Sequence, residues 1–162
     1  IRRQRQMCIR DRYNYGSRDV DISGWLLSGA VSYVFPRGSV MEADSLLVIA
    51  ADADLLASRY DLPRETIQGD FSGNLDNAGE LLQLWTPLGY MVSFVDYGES
   101  DLWPETADGL GPSLERISPA LEETDPRSWS ASIPAVSAGS SSMAPIPSNR
   151  WRACWSEISE LK

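Results

Sequence analysis

The chain has 162 residues, 43% of them hydrophobic, and a formal net charge of −9. That length suits one domain with tails, and that apolar content suits a buried core, so a wholly disordered chain is excluded. There is no histidine, which removes Ser-His-Asp and Cys-His catalysis and the common zinc sites.

Charge is unevenly spread. Residues 13–149 hold six basic and twenty acidic residues, a net of −14. A surface of that sign repels nucleic acid and anionic lipid. No apolar run approaches the roughly 18 residues of a membrane span. The start is Arg-rich like a signal peptide, but no apolar segment comes after it. Cys8 and Cys154 lie near the two ends and form no metal-binding spacing. Whether they pair, and in which redox compartment, stays open.

Residues 1–12, IRRQRQMCIRDR, fit no strand or helix pattern that continues past residue 12. The run QMCIRDR looks like translated sequencing-adapter scars at the ends of metagenomic reading frames. A solvated basic arm is the alternative. Residues 1–12 are therefore expected to be a non-native leader outside the fold.

From Val20 the punctuation is β-type. Val20-Asp21-Ile22 alternates, Ser23-Gly24 turns, and Trp25-Leu26-Leu27 runs to a break at Gly29. Ser32-Tyr33-Val34-Phe35 is the next strand, closed by Pro36 and Gly38. Residues 46–50, LLVIA, form a short continuous apolar run, as in a strand buried on both faces. One helix is expected after Asp52, a good N-cap, with Asp54 near the positive end of the dipole. Its apolar stripe is read as Leu55, Leu56, Arg59 and Tyr60, and Pro63 ends it. So short a helix must pack on the sheets to persist.

A hairpin comes next. Leu81-Leu82-Gln83-Leu84-Trp85 leads into Thr86-Pro87-Leu88-Gly89, which suits a type I turn with a bulge, and residues 90–97 return. Leu114 to Ile117 is a candidate last strand. Residues 131–147 are a Ser/Ala/Pro linker. In residues 150–162, Trp151, Trp155 and Ile158 are spaced for one amphipathic turn. Short strands at regular spacing with Gly, Pro, Asn and Asp turns read as an all-β sandwich.

Several pieces, in this order, resemble the bacterial lamin-tail domain. They are Val20-Asp21-Ile22-Ser23-Gly24-Trp25-Leu26-Leu27-Ser28, then Tyr33-Val34-Phe35-Pro36 followed by the 46–50 run and the helix. Next come Phe71-Ser72-Gly73-Asn74-Leu75-Asp76-Asn77-Ala78-Gly79-Glu80, then Val95-Asp96-Tyr97 through Trp103-Pro104, Ala107-Asp108-Gly109 and Gly111-Pro112-Ser113-Leu114-Glu115. The resemblance implies an immunoglobulin-like β-sandwich with one short helix over residues 13–133, and a linker and tail over 134–162. The signature positions it carries over are Gly24, Trp25, Phe35, Pro36, Gly73, Gly79, Tyr97, Trp103, Pro104, Gly111 and Trp129. Family members open with strands like "INEI" and "EWIELYN". Here Tyr13-Asn14 is all that matches, so one or two N-terminal strands are expected to be missing.

The resemblance implies a non-catalytic binding or adhesion module of a larger secreted or cell-surface bacterial protein. Its partner would be a protein or surface ligand, with covalently linked neighbouring domains, no nucleic acid and no cofactor. The alternative is an accessory substrate-holding domain, or a fragment of an extracellular nuclease, phosphatase or glycoside hydrolase. Glycoside hydrolysis needs two carboxylates roughly 5–10 Å apart, and the sequence places no pair so. Asp96, Glu99, Asp101, Glu105 and Asp108 form an acid-rich loop. Such oxygen ligands hold calcium in some proteins, but this spacing matches no established calcium loop, so the run reads as solvated. Trp85, Trp103 and Trp129 are candidates for an aromatic carbohydrate platform. Trp25, Trp103 and Trp129 read better as core, which leaves Trp85, on the strand face shared with Gln83, as the exposed aromatic.

A solvated acidic loop gains nothing from calcium. A site filled to a hundredfold excess over Kd would stabilise the fold by about 2.7 kcal/mol. Thermal melts with and without millimolar calcium are expected to coincide; a rise of several degrees abolished by Asp101→Ala would make the loop a calcium site.

Overall fold

A computed structural model of the chain describes residues 9–75, 79–98, 102–104 and 114–131. In chain order the elements are β1 (Ile9–Asn14), β2 (Val20–Asp21), β3 (Leu26–Gly29), β4 (Val31–Val34), β5 (Val40–Met41), β6 (Ser45–Ala50), α1 (Ala53–Tyr60), β7 (Ile67–Gln68), β8 (Ser72–Gly73), β9 (Gly79–Trp85), β10 (Met91–Gly98), β11 (Leu114–Arg116) and β12 (Trp129–Ala131). The fold is all-β with one short α-helix among the described residues. Among the same residues, no helix is long and apolar enough to cross a membrane.

Two sheets dominate. One has five strands in the order β10-β9-β3-β4-β8, and the other has three in the order β1-β6-β7. β2 pairs with β5, and β11 with β12, as two small ribbons. The main apolar cluster joins Leu27, Val31, Tyr33, Leu82, Leu84 and Val95 of the five-stranded sheet to Ile49 of β6 and Trp129 of β12. Trp25 and Phe35, flanking β3 and β4, belong to it as well.

β6 is buried on both faces, as its unbroken apolar run implied. Leu47 and Ile49 meet the main cluster, while Val48 and Ala50 meet a second one built with α1. Leu46, at the open end of the strand, is exposed. The helix starts as expected: the Asp52 carboxylate accepts from the Leu55 amide at 2.8 Å. It ends at Asp61, which takes a left-handed conformation just before Leu62 and Pro63. Its buried stripe differs from the expected one. Ala53, Leu56 and Ala57 face the sheet and Tyr60 lies beside them, while Leu55 is exposed. Small alanines let the helix sit close on β6 and β7, and this rotates Leu55 out.

The first strand also differs. Residues 9–12 were expected to lie outside the fold, yet β1 begins at Ile9. It pairs antiparallel with β6 in an unbroken register, from Ile9 opposite Ala50 to Asn14 opposite Ser45. Backbone amides and carbonyls pair whatever side chains they carry, so an Arg-rich run without alternation still joins the ladder. The expected gap ahead of Tyr13 is thus occupied by strand. Arg12 is buried at 1% exposure. The 132–162 segment of the linker and tail lies outside the described residues.

Asn14 fixes the end of β1. Its side chain is fully buried, and its amide donates to the carbonyl oxygens of Met41, Glu42 and Arg18 at 3.1, 3.0 and 2.8 Å. Its own oxygen accepts from the Gly16 amide at 3.1 Å. One carboxamide thereby ties β1, the turn after it and the segment joining β5 to β6. Asn14→Ala strands several of these groups, at a cost of about 2–4 kcal/mol. An unfolding free energy from urea titration that falls by this much, seen as a lower midpoint, is the expected result, and an unchanged midpoint would mean that Asn14 does not hold β1.

Candidate functional site

The antiparallel ladders decide which side chains the five-stranded sheet offers to solvent. Successive residues on a strand point to opposite faces, and directly paired residues share a face. Leu84 pairs with Leu27, and Leu27 with Tyr33. All three are buried. The next row along the same strands therefore points outward. In it Met91 pairs with Trp85, Trp85 with Leu26, and Leu26 with Val34. Four apolar positions thus stand side by side across β10, β9, β3 and β4, on the face away from the core. Val34 is 58% exposed and Met91 44%, while Trp85 and Leu26 between them are half-buried. The row behind is more polar, with Phe94 opposite Gln83 and Gln83 opposite Ser28. The Gln83 amide nitrogen reaches the Met91 sulfur at 3.8 Å.

The hairpin turn joins the Trp85 and Met91 ends of this row. The Gly89 amide donates to the Thr86 carbonyl at 3.0 Å, and Gly89 has a φ of +82°, which suits the type I turn with a bulge read from Pro87 and Gly89. The Tyr90 amide is held by the Thr86 hydroxyl at 3.1 Å. The turn thus has a fixed shape, and it presents Leu88 at 83% and Tyr90 at 68% exposure.

Three turns meet at this end of the sheet. A Cβ placed on Gly24 would stand 3.3 Å from Pro87 Cγ, so the hairpin turn rests against the 22–25 turn. Gly24 also has a φ of +72°, which the chain needs to deliver Trp25 into the core. The Gly38 amide donates to the Ser23 hydroxyl at 2.8 Å, which joins the turn after β4 to the same group. Exposed Asp21 and Arg37 bracket it with opposite charges. Hydrogen bonds from the Ser23 side chain, and then from its backbone, hold the Asp21 carboxyl below the ordinary carboxylate range. An apolar stripe with a polar rim is the usual anatomy of a binding surface.

The other aromatic candidates belong to the core cluster or pack against it. Trp25 is buried, and Trp129 is buried with its indole N–H on the Glu123 carbonyl at 2.9 Å. Trp103 packs on the core with its ring 6.1 Å from that of Trp129. Phe35 is buried edge-on to Tyr33 at 5.1 Å. The Tyr33 hydroxyl donates to Gln68 at 3.1 Å, and burial pushes its phenol up from the ordinary value. Tyr97 packs partly on the core, Pro36 is exposed and Pro104 is half-buried. Gly73 and Gly79 both have positive φ and backbone in the space a Cβ would need. Of the acidic loop, Asp96 is exposed on β10, while Glu99, Asp101, Glu105 and Asp108 lie outside the described residues, as does Gly111. Among the described residues no three His, Cys, Asp or Glu side chains gather as a metal site would require.

Trp85 was legible from strand alternation. Leu26 and Val34 were not, because facing partners across β3, β4 and β9 appear only with the register. Glu123 was missed entirely, since nothing in the run GluGluThrAspPro at 122–126 marks one acid as different from the next. Its carboxylate accepts from the Phe94 amide and the Ser93 hydroxyl, each at 3.0 Å.

Searches against family models, curated proteins and solved structures find no match to this chain.

The two tryptophans on either side of the sheet should respond differently to truncation. Trp25→Ala removes a buried indole, at a cost of about 3–5 kcal/mol. That is much of the roughly 5–15 kcal/mol that holds a typical domain together. Trp85→Ala removes a half-buried one from the outer face and should leave a cooperative transition. Thermal melts of both variants check this; a larger loss at Trp85 would place that ring in the core.

Proposed function

We propose that the chain is a non-catalytic binding or adhesion module of the lamin-tail type, belonging to a larger secreted or cell-surface bacterial protein. In this reading it is an immunoglobulin-like sandwich, with the five-stranded sheet as one layer and the sheet around β6 as the other. Its partner is a protein or surface ligand that docks on the outer face of the five-stranded sheet. The observation that carries the reading is the apolar row Met91, Trp85, Leu26 and Val34 on the outer face, with Leu88 and Tyr90 exposed on the turn that joins Trp85 to Met91. A row of four apolar side chains outside the core, with two more exposed on the adjoining turn, is what a hot-spot surface needs. Trp and Tyr supply large contact area at small entropic cost. The order of the motif pieces from Val20 to Glu115 supports the family, and the absence of histidine supports a role without turnover.

The test is retention of the purified, labelled chain on intact bacterial cells and on their secreted material. The double variant Trp85→Ser with Leu88→Ser is expected to lose affinity by about tenfold or more. Its melting transition should remain cooperative, and neither protein should hydrolyse phosphodiester, peptide or glycoside substrates. Equal retention of both proteins would remove the face from consideration, and turnover lost on mutating one Asp or Glu would make the chain an enzyme.

A further inference from the structure

β10 is an edge strand of the five-stranded sheet: β9 pairs with one side of it, and no strand among the described residues pairs with the other. An edge of this kind presents amides and carbonyls that another chain can pair with. Here one of those amides is already taken. The Phe94 N–H points away from β9 and donates to Glu123 Oε1 at 3.0 Å. The second oxygen, Oε2, accepts from the Ser93 hydroxyl at 3.0 Å, with Arg116 Nη1 at 3.9 Å. Glu123 thus occupies the position that the carbonyl of an added strand would take. Its backbone is pinned separately, by the Trp129 indole on its carbonyl. The side chain is therefore able to leave Phe94 while the Glu123 backbone stays in place.

We propose that β10 is a strand-accepting edge gated by the Glu123 side chain, and that its occupant is an extended, basic and apolar segment of a partner protein. An antiparallel strand laid on this edge places alternate residues beside the outer-face residues of β10. One of its side chains would lie beside Phe94, which is half-buried on that face, and calls for an apolar residue. The residue two positions away would lie beside exposed Asp96, and calls for Lys or Arg. Charge argues against a second copy as the occupant. Each copy carries −9, and pairing centred on Phe94 sets Asp96 opposite Val92, with no charge match. The edge and the apolar face are separable: Trp85→Ser disables the face and leaves the edge intact.

The probe is a labelled heptapeptide, Thr-Lys-Thr-Val-Thr-Val-Thr, whose central Val faces Phe94 and whose Lys faces Asp96 when it lies antiparallel, titrated by fluorescence anisotropy against the full chain. Glu123→Ala is expected to bind it about tenfold tighter than the unaltered chain, because the peptide no longer displaces two charge-assisted hydrogen bonds. Glu122→Ala, which removes the same charge from an exposed neighbour, should bind like the unaltered chain. A peptide with glutamate in place of lysine should bind more weakly to every variant. Ser93→Ala removes one of the two bonds without touching the loop and should give a smaller gain, so it decides the matter if Glu123→Ala does not fold. Equal gains at Glu122 and Glu123 would overturn the gate, as would no gain at Ser93→Ala. No binding to any variant would overturn the strand-accepting edge. Self-association of Glu123→Ala without peptide would overturn the choice of partner.

Discussion

The register of β9 against β3 is the constraint on which the rest of the molecule depends. It is pinned at Gly29, which pairs with Leu82. Gly29 has a φ of +108°, and a Cβ there would lie 2.1 Å from the Leu81 carbonyl oxygen. Only glycine permits that approach. The neighbouring Ala30 amide donates to the same Leu81 oxygen at 3.0 Å. A slip of one residue would bring a side chain into that space and turn every residue of β9 to the opposite face.

With that register held, burial and exposure across the sheet are decided together. Leu82 and Leu84 go inward and join Leu27, Tyr33 and Val95. Trp85 is carried outward by the same alternation, and Leu26, Val34 and Met91 go with it because they are its partners in the ladder. The inner face then needs cover. β6 supplies it with Leu47 and Ile49 on one side, while α1 closes the other side of β6 over Val48 and Ala50. At the far edge, Glu123 takes up the Phe94 amide that the ladder leaves pointing outward. The offered surface is thus a consequence of the packing, not an addition to it.

Much of this was legible in the sequence, for identifiable reasons. The hairpin was readable because Pro87 and Gly89 sit where a turn demands them and the flanking residues alternate. Asp52 was readable because a cap acts on the amides just after it, and β6 because only a strand covered on both sides is apolar throughout. What escaped depends on partners distant in the chain. The short strands β5 and β7 exist through pairing with β2 and β6, and two residues carry no pattern of their own. β1 was hidden by its arginines, since ladder pairing leaves no mark in composition. The helix stripe was misread because Ala53 and Ala57 are small enough to be overlooked beside Leu55. The outer row and the Glu123 contact needed register and loop path, which one sequence does not display.

Thiol labelling along β9 tests the register most directly. With Cys8 and Cys154 replaced by serine, single cysteines at positions 81 to 85 are placed one at a time and their reaction with a maleimide is tracked in the folded state. Fast labelling at 81, 83 and 85 and protection at 82 and 84 is the pattern this register requires. Fast labelling at 82 and 84, with 83 and 85 protected, would mean that β9 is turned over, and that the core and the offered face have been assigned the wrong way round.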